Sequence, residues 1–317
     1  MPNSASAAER PSISVVVPAT DRPPTLARCL EAIEAGDEGP DELLVIGDPP
    51  GAGPAEARNR GARRAAGDVL LFVDADVEVH ADAVAGVRAA FERDPALTAV
   101  FGAYDDDPAS PGTVSRFRNL LHHHVHASSA GRASTFWAGI GAMRREPFLA
   151  CGGFDASRYP RPAVEDIELG SRLCASGARI ELDPRIRGTH LKAWTLGETV
   201  ATDFARRGVP WLRLQLEARR PSRALNLGWR HRASAVAVAL GSAAILFRRP
   251  MLVATAAAAL VALNRSFYAL LADRGGARLA VAGVGLHVVH HLTAIAALPA
   301  AILVHLAVRR RTSGGAG

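Results

Sequence analysis

Between Ala233 and Val308 the chain holds a single acidic residue, Asp273, out of the 31 in its 317 residues. Helices built from so Ala-, Val- and Leu-rich a stretch have almost no polar face to turn to water, so the chain should divide into a polar first part and an apolar tail at a membrane. The tail reads in three pieces, Ala233 to Phe247, Pro250 to Leu263 and Leu279 to Val308. Only the last clearly exceeds the roughly 20 residues of a helical span. Arg248-Arg249-Pro250 forces a turn between the first two, as a re-entrant hairpin or two short tilted spans. The +6 net charge does not mark a nucleic-acid binder, because aromatics are 5% of the chain and the arginines crowd beside the apolar pieces, as at Arg219, Arg220, Arg223, Arg230, Arg232 and Arg309 to Arg311. Basic residues in such places meet anionic headgroups.

The polar part alternates β-branched runs with helical periodicity. Ile13 to Val17, Leu43 to Ile46, Val69 to Val73, Thr98 to Tyr104 and Arg179 to Leu182 read as strands; Pro24 to Ala35, Pro54 to Ala66, Ala81 to Arg93 and Val164 to Ser176 read as helices. That alternation predicts an α/β fold with a mostly parallel, doubly wound sheet. Met1 to Pro11 is polar with no apolar h-region, so this part is expected to remain in the cytoplasm. Cys29, Cys151 and Cys174 are odd in number and lack C-x-x-C spacing, so they read as reduced, buried thiols. The amphipathic run around Val200 to Leu216 is expected at the membrane interface. His122-His123-His124-Val125-His126 reads as a polar interfacial helix and not as a zinc site, because residues sharing a helix face lie three or four apart.

The third strand ends in Asp74-Ala75-Asp76. It thus puts two carboxylates at the carboxyl edge of a buried strand, where open α/β sheets bind ligands. Hard oxygen ligands of this kind hold Mg²⁺ or Mn²⁺ together with substrate phosphates. Successive strand residues face opposite ways, so both acids serve one site only if the chain turns there.

Five segments, Ser14-Val15-Val16-Val17-Pro18, Gly53 to Gly61, Leu71 to Asp76, Gly152-Gly153-Phe154-Asp155 and Glu165-Asp166-Ile167-Glu168-Leu169, occur in the order seen in family 2 glycosyltransferases of the GT-A fold. Over residues 12 to about 215 the chain resembles that family, and its tail is similar to that of membrane-attached members. The resemblance implies a nucleotide-sugar donor, UDP- or GDP-linked, with Pro18, Thr20, Asp21 and Asp48 at the base and ribose, and Arg58 and Asn59 on the diphosphate side. Gly47-Asp48-Pro49-Pro50 departs from the family's commoner paired acids followed by Gly-Ser. By the same resemblance Asp76 ligates the metal, Asp74 lies nearer the ribose or a metal-bound water, and His190 stands where many such enzymes have a metal-binding His. Lys192 meets a phosphate as a point charge. Asp166 becomes the general base that accepts the acceptor's proton, and Glu165 supports the acceptor or orients Asp166, so the product is inverted. Gly139 and Gly141 either let the acceptor approach the backbone or serve simple packing.

The expected organisation is a disordered stretch over 1–11, a GT-A domain over 12–218, a basic juxtamembrane linker over 219–232, transmembrane or re-entrant helices over 233–308, and a disordered tail over 309–317. It describes a multi-pass protein of the cytoplasmic membrane whose catalytic part faces the cytoplasm and whose acceptor is a lipid-linked or membrane-near glycan. Arg206 to Trp211 lacks the Q-x-x-R-W of processive synthases, which favours single sugar addition. Two rival readings are a polyprenyl-phosphate glycosyltransferase, whose acceptor oxygen is already anionic, and a non-catalytic membrane scaffold. The first is disfavoured by the acids at Glu165 and Asp166, the second by intact Asp74, Asp76 and Asp166.

Overall fold

The computed structural model describes residues 10–218 and 228–314. Residues 1–9, the linker stretch 219–227 and the last three residues of the tail, each part of a segment named above, lie outside the described residues. The chain forms two compact units: one comprises the residues up to Asp105 together with His126–Lys192, the other Asp106–Val125 together with the residues from Ala193 onward.

The first unit is built on one sheet. Strands β1 (Ile13–Pro18), β2 (Glu42–Ile46) and β3 (Val69–Val73) pair in parallel in the order β2-β1-β3. Every residue of β1 and β3 is buried, as strands covered by helices on both faces must be. The covering helices include α1 (Leu26–Glu34), α2 (Pro54–Arg64) and α3 (Ala83–Arg93). Pro54 starts α2 with its φ already helical. Gly61 lets α2 lie close to β1, since a Cβ there would come within 2.3 Å of Val16 Cγ1.

Beyond β3 the sheet is mixed. The short β4 (Val77–Val79), β5 (Ala99–Tyr104), β6 (Gly131–Ala133), β7 (Ile140–Arg144) and β8 (Ile180–His190) complete it, in the order β2-β1-β3-β7-β5-β8-β4 with β6 also on β8. β7 runs antiparallel between β3 and β5, while β5 and β8 are parallel. β8 extends well past the predicted Leu182. Phe101 pairs with Leu182 but Ala103 with Arg187, so the chain around Asp183-Pro184 bulges out of register and the strand resumes. Proline is tolerated in a strand at such a bulge. The resumed strand brings His190 opposite Val77. Two further helices, α5 (Arg145–Ala150) and α6 (Glu165–Ala175), flank the sheet, and Phe72, Phe148 and Phe154 pack with ring centroids 5.4 Å apart.

The second unit is helical. It contains α4 (Thr113–Ala127) as far as Val125, then α7 (Leu196–Ala201), a π-helical stretch over Thr202–Gly208, and α8 (Val209–Glu217), which together occupy the predicted amphipathic run. The tail supplies α9 (Trp229–Leu246), α10 (Pro250–Leu263) and α11 (Arg265–Gly314), the last broken at Gly276, whose φ of 72° is left-handed. Phe117 and Leu120 of α4 share a core with Phe267, Tyr268, Leu271 and Leu279, which explains why 106–125 belongs here while a sequence cut at 218 puts it with the sheet. Helix α11 continues to Gly314, into the stretch expected to be disordered, because extending a formed helix fixes one residue per new hydrogen bond.

Among the described residues one helix, over Arg265–Arg310, is long and apolar enough to cross a membrane by length and composition, with a hydropathy of 1.9. At 18 and 14 residues, α9 and α10 fall short of the roughly 20 that a span takes. The multi-pass expectation therefore reduces to one candidate span. His287, His290 and His291 of α11 face other residues of this unit: Tyr268 Oη lies 2.9 Å from His287 Nδ1, Asp203 Oδ2 lies 3.0 Å from His290 Nδ1, and the His291 and His231 rings are 4.8 Å apart.

Candidate active site

The site forms where β3 ends. Val77 N–H donates to the Asp74 carbonyl at 2.9 Å, and Asp74 N–H donates to the Gly139 carbonyl at 3.1 Å. From α1, the Thr25 hydroxyl donates to Ala75 O at 2.9 Å and the Cys29 thiol to Asp74 O at 3.5 Å. Leu191 N–H donates to Asp76 O at 2.8 Å. The turn that both acids require is thus present, and three separate segments pin it. Cys29 is pushed up to about 12 by burial and then by the charges of Asp74 and Asp76, so its thiol stays protonated.

The two carboxylates then part company. Asp74 Oδ1 accepts from Arg58 Nη2 at 2.5 Å, while Asp76 Oδ2 lies 3.4 Å from His190 Nε2. Burial, followed by the Asp76 charge, raises Asp74 in spite of Arg58. Burial also works against ionisation at Asp76, but the contact with His190 and the charges of His190 and Lys192 outweigh it and hold that carboxyl below its usual range. His190 is itself fixed. Its ring stacks on Tyr104 at 4.4 Å and 12°, and Tyr104 meets the Trp137 ring edge-on at 4.9 Å. Sequence reasoning missed Tyr104; the available signal was an aromatic at the carboxyl end of a buried strand.

Helix α6 brings in the other acids. Glu165 is buried; its Oε1 accepts from Arg58 Nη1 at 3.2 Å and its Oε2 from Ala163 N–H at 2.8 Å. Asp166 is half-buried, and its oxygens accept from Ile167 N–H at 2.8 Å and Ala138 N–H at 3.3 Å. Burial, then the Glu165 charge, pushes Asp166 up to about 7, against the opposing effect of Arg58 and the two backbone donors. A carboxyl so placed changes charge near neutrality, as a general base must.

Asn59 and Thr20 bond to the protein itself. Asn59, expected on the diphosphate, donates to Phe154 O at 2.8 Å and accepts from Phe154 N–H at 2.9 Å, so both ends of its amide hold the 152–154 loop. Thr20 donates its hydroxyl to Ala52 O, tying the end of β1 to the loop after β2. Gly51 N–H returns a bond to Thr20 O at 3.2 Å. Pro18 is buried at the end of β1, whereas Asp21 and Asp48 are exposed. Gly139 and Gly141 are packing positions: a Cβ on Gly139 would meet the Trp137 ring at 2.2 Å, and one on Gly141 the Trp137 carbonyl at 2.2 Å. The histidine run lies on α4, and its last member, His126, is buried with Nδ1 3.0 Å from Gly102 O. Among the described residues no three His, Cys, Asp or Glu side chains are grouped as a metal site; of the expected set, Asp76 and His190 are adjacent, and Asp74 pairs with Arg58.

Residues 49–151, which include the Asp74-Ala75-Asp76 turn, match the model of Glycosyl transferase family 2. Comparison with curated proteins gives no match. Among solved structures the chain is similar to the mannosyltransferase PcManGT from Pyrobaculum calidifontis, in complex with GDP-Man and Mn²⁺, at 20% identity, covering 91% of this chain and 88% of that one with a TM-score of 0.52. It is also similar to glucosyl-3-phosphoglycerate synthase from Mycobacterium tuberculosis, in complex with phosphoglyceric acid, at 20% identity, 62% of this chain, 77% of that one and a TM-score of 0.44. Over residues 49–151 the chain thus matches a family 2 glycosyltransferase domain, its fold is the GT-A fold, and the two together support a glycosyltransferase.

Proposed function

We propose that this glycosyltransferase moves one sugar from a UDP- or GDP-linked donor to a hydroxyl of a lipid-linked or membrane-near acceptor, with inversion at the anomeric carbon. The observation that carries the reading is Asp166, a half-buried carboxyl at the start of α6 that is pushed up to about 7, next to Glu165, which Arg58 ties to Asp74 of the β3 turn. As the acceptor oxygen bonds to the anomeric carbon, Asp166 takes its proton, and the bond from that carbon to the diphosphate breaks on the opposite face. The nucleoside diphosphate leaves with the electron pair. Ala138 N–H and Ile167 N–H orient the carboxylate.

Asp76 and His190 are the residues that would hold a divalent cation. They fit one: an ionised carboxylate and an imidazole nitrogen stand 3.4 Å apart, and Mg²⁺ or Mn²⁺ commonly takes few protein ligands and completes its shell with substrate phosphates. When bound, the cation supplies positive charge against the leaving diphosphate. Lys192, whose charge acts on Asp76, adds to the same field. The complex of PcManGT with GDP-Man and Mn²⁺ supports a nucleotide-sugar and a divalent ion. Membrane attachment is supported by the apolar span within α11 and by exposed Leu240, Leu246, Phe247, Met251 and Leu252 on and between α9 and α10.

The test is a thermal-shift screen of the purified chain against UDP-, GDP- and dTDP-sugars with and without Mn²⁺, since a ligand that binds only the folded state raises its melting temperature. One nucleotide series should stabilise the protein, and only with the cation. No response to any series would overturn the reading.

A further inference from the structure

We propose that Arg58 is a positioning residue that ties the donor-side acid Asp74 to the base-bearing helix α6 and does not contact the donor diphosphate. This rests on the transfer reading above. Arg58 is 4% exposed, on a helix seated against β1 through Gly61. Its two terminal nitrogens are committed, Nη2 to Asp74 at 2.5 Å and Nη1 to Glu165 at 3.2 Å, and its guanidinium lies 5.4 Å from the centre of the Phe154 ring. Phe154 is clamped in turn by the neighbouring Asn59. Two successive residues of α2 therefore hold the loop and the acids that surround the reacting groups.

The site gathers Asp74, Asp76, Glu165 and Asp166, and burial without a partner is costly for any carboxylate. Arg58 is the cation bonded to two of them, and the fork of a guanidinium can hold two acids in fixed relation where an ammonium holds a point. Its charge also opposes the push of Glu165 on Asp166. Loss of Arg58 should consequently act on turnover and on its pH dependence more than on donor capture.

The experiment uses the full chain and four variants, Arg58→Met, Arg58→Lys, Glu165→Gln and Asp166→Asn. Affinity for UDP and GDP is measured by calorimetry with Mn²⁺, and nucleotide release is followed from UDP-glucose and GDP-mannose between pH 5.5 and 9. Arg58→Met is expected to lower kcat about 10²-fold, the scale of a misplaced reacting group, while nucleotide Kd changes less than about threefold. The acid limb of kcat should move to higher pH in Arg58→Met and to lower pH in Glu165→Gln, a pair of opposite shifts that a purely structural tie does not produce. Arg58→Lys should recover part of kcat. A tenfold or larger loss of nucleotide affinity with kcat intact would make Arg58 a diphosphate contact and overturn the proposal, and so would unchanged limbs in folded variants. If Arg58→Met does not fold, the limb of Glu165→Gln decides. A wild-type chain that binds neither nucleotide and releases none would sink the transfer reading, and this proposal with it.

Discussion

The two ends of the sheet's carboxyl edge are held very differently. Where β1 and β2 end, Asp21 and Asp48 stand exposed, and the Thr20 hydroxyl is occupied by Ala52. Where β3 and β8 end, each acid has a partner: Arg58 for Asp74, His190 for Asp76, Arg58 again for Glu165, and two backbone N–H groups for Asp166. Rigid groups lower the cost of stabilising charge as it develops, whereas loose ones accommodate what they bind. On the proposed reading the acids that carry the chemistry are held in place, whereas the side chains expected at the nucleoside are free to adjust.

That contrast breaks most sharply at Asp76. Asp76→Ala should reduce transfer to background and remove cation-dependent donor binding, because it deletes the carboxylate that pairs with His190. Initial rates with Mn²⁺ and with EDTA check this, and full activity of the variant in EDTA would remove the metal from the reading. Next comes Asp166→Asn, expected to cost about 10²- to 10⁴-fold in turnover while donor affinity persists. Single-turnover transfer beside donor Kd is the measurement. Near-normal transfer would mean an acceptor already ionised, as in a polyprenyl-phosphate acceptor.

A milder perturbation is proton concentration. Asp166 accepts a proton only when ionised, so kcat should fall about tenfold per unit as pH drops below about 7 and level off above it. In Asp166→Asn the residual rate should lose that limb. The smallest effect belongs to the exposed end: Asp48→Ala should raise KM about fivefold with kcat unchanged, as for one hydrogen bond worth about 1 kcal/mol. A large loss of kcat in Asp48→Ala would erase the distinction between the two ends.

Much of this was readable because parallel, helix-covered strands are continuous apolar runs. Ile13 to Val17 and Val69 to Val73 announce themselves, and so does the acid pair that ends the second of them. What escaped depends on distant partners. β7 reads Ile140-Gly141-Ala142-Met143-Arg144, with no strong alternation to mark it, and becomes a strand because β3 and β5 flank it. The resumption of β8 after Pro184 depends on a bulge opposite Gly102. Arg58 and Asn59, expected on the diphosphate side, also bond Glu165 at 107 positions' remove and Phe154 at 95. No local pattern encodes such pairings.

The insertion of β7 between β3 and β5 also bears on how the chain comes into being. Domains tend to fold from the N-terminus as they are synthesised, and strand pairing across long loops is slow because loop closure must come first. The β2-β1-β3 ladder needs only the first 73 residues, so this end of the sheet can assemble early. Until Ile140–Arg144 emerges, however, β3 has one unpaired edge of Val, Leu and Phe, the kind of edge that recruits other chains. Of the acids at its tip, Asp74 has its partner Arg58 already in the emerged chain, whereas Asp76 gains His190 only when the end of β8 leaves the ribosome. On that order of emergence, the edge of β3 that β7 later covers is bare after the β2-β1-β3 ladder can form.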